Sequence, residues 1–236
     1  MSLEDFARPE LVVFDLDNTF YDYQSAHKVA LKSLLEKLES NFNSDSNQAL
    51  DVYEKARSNV KFRLGKTASS HSRLLYLSEY FSLLKVKFDT SEILQLEANY
   101  WNVFLTKITL FPESIIFLDK LLSLGIDCAL VTDLTSEIQY KKLNSLGLLS
   151  KFQYVVTSEE AGGDKSTLLP WKLLDERIDI TRFSTIWYIG DSKHDLNPSM
   201  RRSQDIGFLK THQELIAINE GEFYFNSFAE LSNLIK

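Results

Sequence analysis

Between Asp22 and Ile108 the chain holds no proline and one glycine, Gly65, and its apolar residues recur three and four positions apart. That spacing lines them along one face of a helix. Val29, Ala30, Leu34 and Leu38 form one stripe; Ala49, Val52, Ala56 and Val60 a second; Leu74, Leu77, Phe81 and Leu84 a third; Ile93, Leu96, Tyr100 and Val103 a fourth. Gly, Ser, Asn and Asp gather at 41–47, 64–70 and 87–91, where the helices are expected to break. The pattern therefore predicts four amphipathic helices over 22–108.

The flanking segments have a different rhythm. Short β-rich apolar runs at 11–14, 127–131, 152–157, 185–189 and 206–209 alternate with helical patterns at 113–124, 136–146, 169–177 and 196–202. Such alternation predicts a parallel sheet covered on both faces. Pro112 suits a first helical turn, and Gly125 and Gly147 suit C-terminal caps. The fold class expected is α/β, a doubly wound parallel sheet over 1–21 and 109–236, interrupted after its first strand by a four-helix insertion over 22–108.

Composition narrows the function. At 236 residues and 44% hydrophobic content the chain can bury a substantial core. A net charge of -7, with no Lys/Arg run, argues against nucleic acid and anionic membrane as partners. Cys128 is the only cysteine, which excludes an internal disulfide and a thiol zinc cluster and fits a reducing, cytoplasmic setting. Met1 to Glu10 is polar, and no run of about 18 apolar residues occurs, so neither secretion nor membrane insertion is expected. None of these features bears on oligomeric state.

In an open parallel sheet the ligand lies beyond the carboxyl ends of the strands, so the polar residue closing each apolar run is the informative one. Leu-Val-Val-Phe runs into Asp15-Leu-Asp17-Asn-Thr19, Ala-Leu-Val into Thr132-Asp133, and Trp-Tyr-Ile into Gly190-Asp191-Ser-Lys-His-Asp195, while Lys165 follows the third strand. Convergence of Asp15, Asp17, Asp191 and Asp195 would set carboxylates about 4 Å apart, where each pair repels by roughly 4 kcal/mol at an effective dielectric of 20. A hard cation is then required, and an oxygen-only set sharing its sphere with waters and a phosphate oxygen is typical of Mg²⁺. Lys165 would add a second positive charge, and Thr132 with the N–H groups after it could bind a phosphoryl oxygen.

These motifs, in this order and each at a strand end, resemble the haloacid dehalogenase superfamily, and the four-helix insertion resembles its helical cap. The resemblance implies a small phosphorylated metabolite (a sugar phosphate, sugar-acid phosphate or nucleotide) as substrate. It implies that Asp15 attacks phosphorus and that Asp17 protonates the leaving alkoxide and later deprotonates the water. It further implies that Asp15, Asp17 through its backbone carbonyl, Asp191 and Asp195 hold Mg²⁺, and that Thr132, Asp133 and Lys165 hold the phosphoryl group. Asp133, where Asn is common, and Ser166, where Pro is common, depart from the pattern without removing a catalytic group. A phosphosugar mutase uses the same core, and a non-catalytic phosphometabolite-binding protein could keep the fold.

Within the insertion, Lys66, His71 and Arg73 are candidates for reading the organic part of a phosphate ester, the alternative being a solvated interhelical loop. Tyr76, Tyr80, Phe81, Tyr100 and Trp101 are read as packing residues, His194 as a bystander, and Cys128 as a buried small hydrophobe.

Overall fold

Four consecutive buried residues, Leu-Val-Val-Phe, make β1 (Leu11–Phe14), and burial on both faces is what a central parallel strand demands. In a computed structural model describing residues 6–42, 46–197 and 201–235, this strand sits between β2 (Asp127–Thr132) and β4 (Ile186–Gly190), parallel to both. Beyond β2 lies β3 (Tyr154–Thr157), and beyond β4 come β5 (Ile206–Lys210), β7 (Glu222–Phe225) and β6 (Ile216–Asn219). The order is β3-β2-β1-β4-β5-β7-β6, parallel except for the β6/β7 pair. The chain is thus α/β with a doubly wound sheet.

The chain divides into two compact units, Met1–Asp22 with Thr109–Lys236, and Tyr23–Ile108. The second is helical. In it α1 (Tyr23–Phe42) packs on α4 (Thr90–Lys107), and α2 (Ser46–Leu64) packs on α3 (Arg73–Leu84). Ala30, Leu34, Leu38, Ala56 and Val60 of the predicted stripes are fully buried, whereas Val29 is 42% exposed on the flank of α1. The buried face of α3 is aromatic rather than leucine-rich, comprising Tyr76, Leu77, Tyr80 and Phe81. A 3₁₀ turn, Ala68–His71, fills the second predicted break, and Asp89 caps α4 with a reciprocal Glu92 contact at the third. The first predicted break, 41–47, centres on 43–45, outside the described residues.

The sheet unit carries α5 (Ser114–Ser123), α6 (Ser136–Ser145), α7 (Ser158–Ala161), α8 (Leu169–Ile178) and α9 (Phe228–Leu234). Leu11, Val13, Ala129, Val131 and Tyr188 pack against Trp171, Leu174 and Ile178 of α8. On another side Phe14, Phe20, Phe117 and Phe228 form an aromatic cluster with ring centroids 5.2 to 6.2 Å apart. Gly125 and Gly147 follow α5 and α6 at φ 71° and 70°, the left-handed conformation that ends a helix. Pro112 precedes α5 rather than opening it, because Glu113 takes the cap position at φ 62°. Cys128 is fully buried in β2, and burial pushes its thiol up to about 12.

The described residues cover the helix predicted over 196–202 only at its ends, 196–197 and 201–202. A 3₁₀ turn, Lys193–Leu196, ends at Asn197, which adopts a left-handed conformation (φ 49°), and 198–200 lie outside the described residues. Among the described residues, β6, β7, α7 and α9 escaped the pattern.

Candidate active site

The Asp15, Thr132 and Asp191 motifs lie at the carboxyl ends of their strands, and Lys165 follows β3 after an intervening helix. Asp15 directly follows β1, and its N–H donates to the Ile189 carbonyl of β4 at 2.9 Å, continuing the ladder so that the carboxyl leaves the sheet at its centre. Thr132 closes β2, Asp191 follows β4, Asp195 lies in the 3₁₀ turn behind it, and Lys165 opens a 3₁₀ turn after α7. These residues, with Asp17 and Asp133, line one cavity of about 170 Å³, joined there by Asn18 and Ser192.

Inside it, Lys165 Nζ lies 2.5 Å from Asp15 Oδ1 and 2.5 Å from Asp195 Oδ1. The Asp15 contact is a hydrogen bond, whereas Asp195 Oδ1 is an ion-pair contact without hydrogen-bond geometry. Thr19 Oγ1 donates to Asp15 Oδ2 at 3.1 Å, so both Asp15 carboxyl oxygens are oriented. Asp195 Oδ2 accepts from the Ser192 N–H at 2.7 Å, which folds the loop after β4 back on itself. Gly190 permits this fold: a Cβ there would stand 2.1 Å from Asp195 Cβ. Asn18, at φ 62°, donates to Asp191 Oδ2 at 3.1 Å and so links the loop after β1 to the loop after β4.

The charges of the site favour a cation. Burial pushes the Asp15 carboxyl well above the usual carboxylate range; Lys165 opposes this, and Asp195, Asp191 and Asp17 reinforce it. Asp191 is pushed up to about 6, first by partial desolvation and then by Asp195. Burial disfavours the Lys165 ammonium, but Asp15, Asp195 and Asp133 outweigh it and hold the proton firmly. One ammonium faces three carboxylates, Asp15, Asp191 and Asp195, whose ligand atoms lie within 4.8 Å of one another. An oxygen-only donor set with surplus negative charge fits a hard divalent cation.

Three placements were not foreseen. Asp133 lines the cavity, but its Oδ1 accepts from the Lys165 N–H at 2.9 Å, tying the loop after β2 to the lysine loop. Gln139 of α6, fully buried, donates from Nε2 to Thr132 Oγ1 and to the Asp133 carbonyl, both at 2.6 Å. Because the threonine oxygen accepts there, its own O–H proton remains to donate. Lys142, also fully buried, places Nζ 2.8 and 2.7 Å from the two oxygens of Asp17, and Tyr21 donates to the first of them. Ile138, Gln139, Lys142 and Leu143 form the buried face of α6. Two polar residues, Gln139 and Lys142, share that face with two apolar ones, which is the signal that was available.

In the helical unit, Arg73 is buried at the start of α3, its guanidinium 4.9, 5.1 and 5.8 Å from the ring centroids of Trp101, Tyr100 and Tyr76 and bonded to Tyr23, Tyr100 and the His71 carbonyl. Burial and then the Arg73 charge bring His27 down to about 4. Lys66 is exposed and His71 half-buried.

The sequence profile described as haloacid dehalogenase-like hydrolase matches residues 12–203. The chain belongs to this family. It is 33% identical over 197 residues, 83% of this chain and 81% of the relative, to ribulose-1,5-bisphosphate 5-phosphatase of Halopiger xanaduensis. It is 23% identical over 235 residues, 95% of this chain and 96% of the relative, to glyceraldehyde 3-phosphate phosphatase of Methanocaldococcus jannaschii. The fold is shared with the magnesium-bound HAD-hydrolase YfnB of Bacillus subtilis, at a TM-score of 0.67 and 22% identity, covering 97% of this chain and 99% of that one. This haloacid dehalogenase-like hydrolase is accordingly a phosphatase, an enzyme acting on phosphoric monoesters. Among the described residues no helix is long and apolar enough to cross a membrane.

Proposed function

We propose that the chain hydrolyses a small phosphorylated metabolite, foremost a sugar phosphate, through a phosphoaspartate on Asp15. The supporting observation is the pairing of a buried, doubly oriented Asp15 carboxylate with Lys165 in a cavity that also holds Thr132, Asp191 and Asp195. The two phosphatase relatives act on phosphorylated sugars by their names, which supports this substrate class.

An Asp15 oxygen forms a bond to phosphorus as the ester P–O bond breaks, and the departing alkoxide takes a proton from Asp17. Water then attacks phosphorus and gives a proton to Asp17, the acyl phosphate bond breaks, and inorganic phosphate leaves with Asp15 restored. Lys165 and the Thr132 hydroxyl supply positive charge and a donor where the phosphoryl oxygens accumulate charge. Asp15, the Asp17 carbonyl, Asp191 and Asp195 would hold Mg²⁺, whose chemistry there is to offset the charge of carboxylates and phosphoryl group alike. Asp133 borders the phosphoryl position and acts on it through the Lys165 loop. Choice among esters is assigned to the helical unit, with Lys66, His71 and Arg73 as candidates.

The test is release of phosphate from a panel of phosphorylated metabolites with Mg²⁺ and with a chelator, together with acid-quench mass spectrometry of the protein during turnover. Phosphate released only with Mg²⁺, and a phosphoryl mass on the peptide containing Asp15, are expected. A folded protein inert on every ester would overturn the reading.

A further inference from the structure

We propose that Lys142 is a positioning residue for the acid/base step, holding the Asp17 carboxylate where it exchanges its proton with the leaving oxygen. The inference rests on the hydrolase reading above. Lys142 lies 125 residues from Asp17 in sequence, on α6, yet its ammonium contacts both Asp17 oxygens at 2.8 and 2.7 Å. Tyr21, fully buried, adds its hydroxyl to Asp17 Oδ1. Three donor contacts on one carboxyl group leave it a single orientation.

Stability does not account for the pair. The Lys142 side chain is wholly buried, and taking an ammonium out of water offsets most of what its carboxylate partner returns. Ile138 and Leu143 flank it on the same helix face, so an apolar residue would complete that stripe without the desolvation penalty. A lysine kept there is explained by what it holds. The Asp17 side chain is 26% exposed and lines the same cavity as Asp15, so the carboxylate that Lys142 fixes at its back also faces the reacting centre. A mobile acid would have to be ordered anew in each turnover; a docked one is already in place.

The prediction separates this role from simple support of the fold. kcat/KM covers steps only up to release of the alcohol, so it isolates protonation of the leaving group from hydrolysis of the phosphoenzyme. Lys142→Met should lower kcat/KM on the order of 100-fold for an alkyl ester such as glycerol phosphate, but less than about 5-fold for 4-nitrophenyl phosphate, whose phenolate leaves without an acid. Lys142→Arg should recover part of the alkyl-ester loss, and Tyr21→Phe should show a smaller loss with the same selectivity. Equal losses on the two esters from folded Lys142→Met and Tyr21→Phe proteins, or no loss on either, would overturn the inference while the wild type remains an active hydrolase. A folded wild type inert toward these two esters and every other ester of the panel would overturn the hydrolase reading, and this inference with it.

Discussion

Replacing Gly190 by alanine tests whether the loop after β4 is held as tightly as its geometry requires. The new Cβ would stand 2.1 Å from Asp195 Cβ and 2.5 Å from its Cγ, against the 3.4 Å at which ordinary contact begins, so one side must retreat by more than an ångström. Retreat of the carboxylate disrupts its 2.7 Å bond from the Ser192 N–H and its 2.5 Å approach to Lys165, both in a site where Asp195 is 2% exposed. Overpacking contributes about 1–3 kcal/mol and a lost bond to a charged group about 1.5–3 kcal/mol; because the same displacement causes both, their combined effect is about 3 kcal/mol. For a protein of this size each kcal/mol moves the midpoint by about 2–4 °C, so thermal unfolding followed by far-ultraviolet circular dichroism should show a fall of about 6–12 °C. Phosphatase activity should fall at least about 100-fold, because an ångström of misplacement at a reacting centre has that effect. An alanine variant that melts within a degree of wild type and keeps its activity would show that the Asp195 turn is not packed against Gly190 as described.

Asp15→Asn should abolish phosphate release yet leave the midpoint unchanged or higher, since it removes a buried charge that Asp195, Asp191 and Asp17 repel. Chelation should abolish activity, Mg²⁺ should restore it, and Ca²⁺ should inhibit, because its larger coordination number lets a carboxylate bind through both oxygens and lose nucleophilicity; a phosphate-release assay reads all three. With Asp191 pushed up to about 6, its proton competes with the cation below that pH, so calorimetry should show Mg²⁺ affinity falling about tenfold per pH unit there. The same raised value means the metal-free fold binds this proton more tightly than the unfolded chain does, so this carboxyl makes the metal-free protein lose stability as pH rises from 3.8 toward about 6, a trend that melts across that range would check.

The core motifs were legible because in a central parallel strand a charged residue can appear only where the strand ends. Leu-Val-Val-Phe is buried throughout, and Asp15 is the first residue free of that constraint. The 3₁₀ turn after β4 left no mark in the periodicity, which cannot register that Asp195 bends back to the Ser192 N–H or that Asn197 takes a left-handed conformation. The β6 strand was missed because its residues are mostly exposed at the sheet edge, which erases the alternation that marks a half-buried strand, although the Glu220-Gly221 turn beside it was a usable cue. Gln139 and Lys142 were passed over since a polar residue on a helix is ordinarily solvated. Their partners, Thr132 and Asp17, come from other parts of the chain, and only tertiary structure brings them to α6.

The register of β1 also bears on how the chain emerges from the ribosome. Leu11 lies opposite Asp127 on one side and Ile186 on the other, so β1 is synthesised well before either neighbour and stays unpaired until they follow. The helices between Tyr23 and Ile108 pack on one another and can fold meanwhile from local contacts. During that interval Leu-Val-Val-Phe is an unpaired, uncharged β-prone tetrapeptide, the kind of segment that self-associates. Nascent chains stalled before residue 127 are therefore where chaperone engagement should be sought, and Asp15, the acidic residue immediately downstream, acts there as a gatekeeper against aggregation.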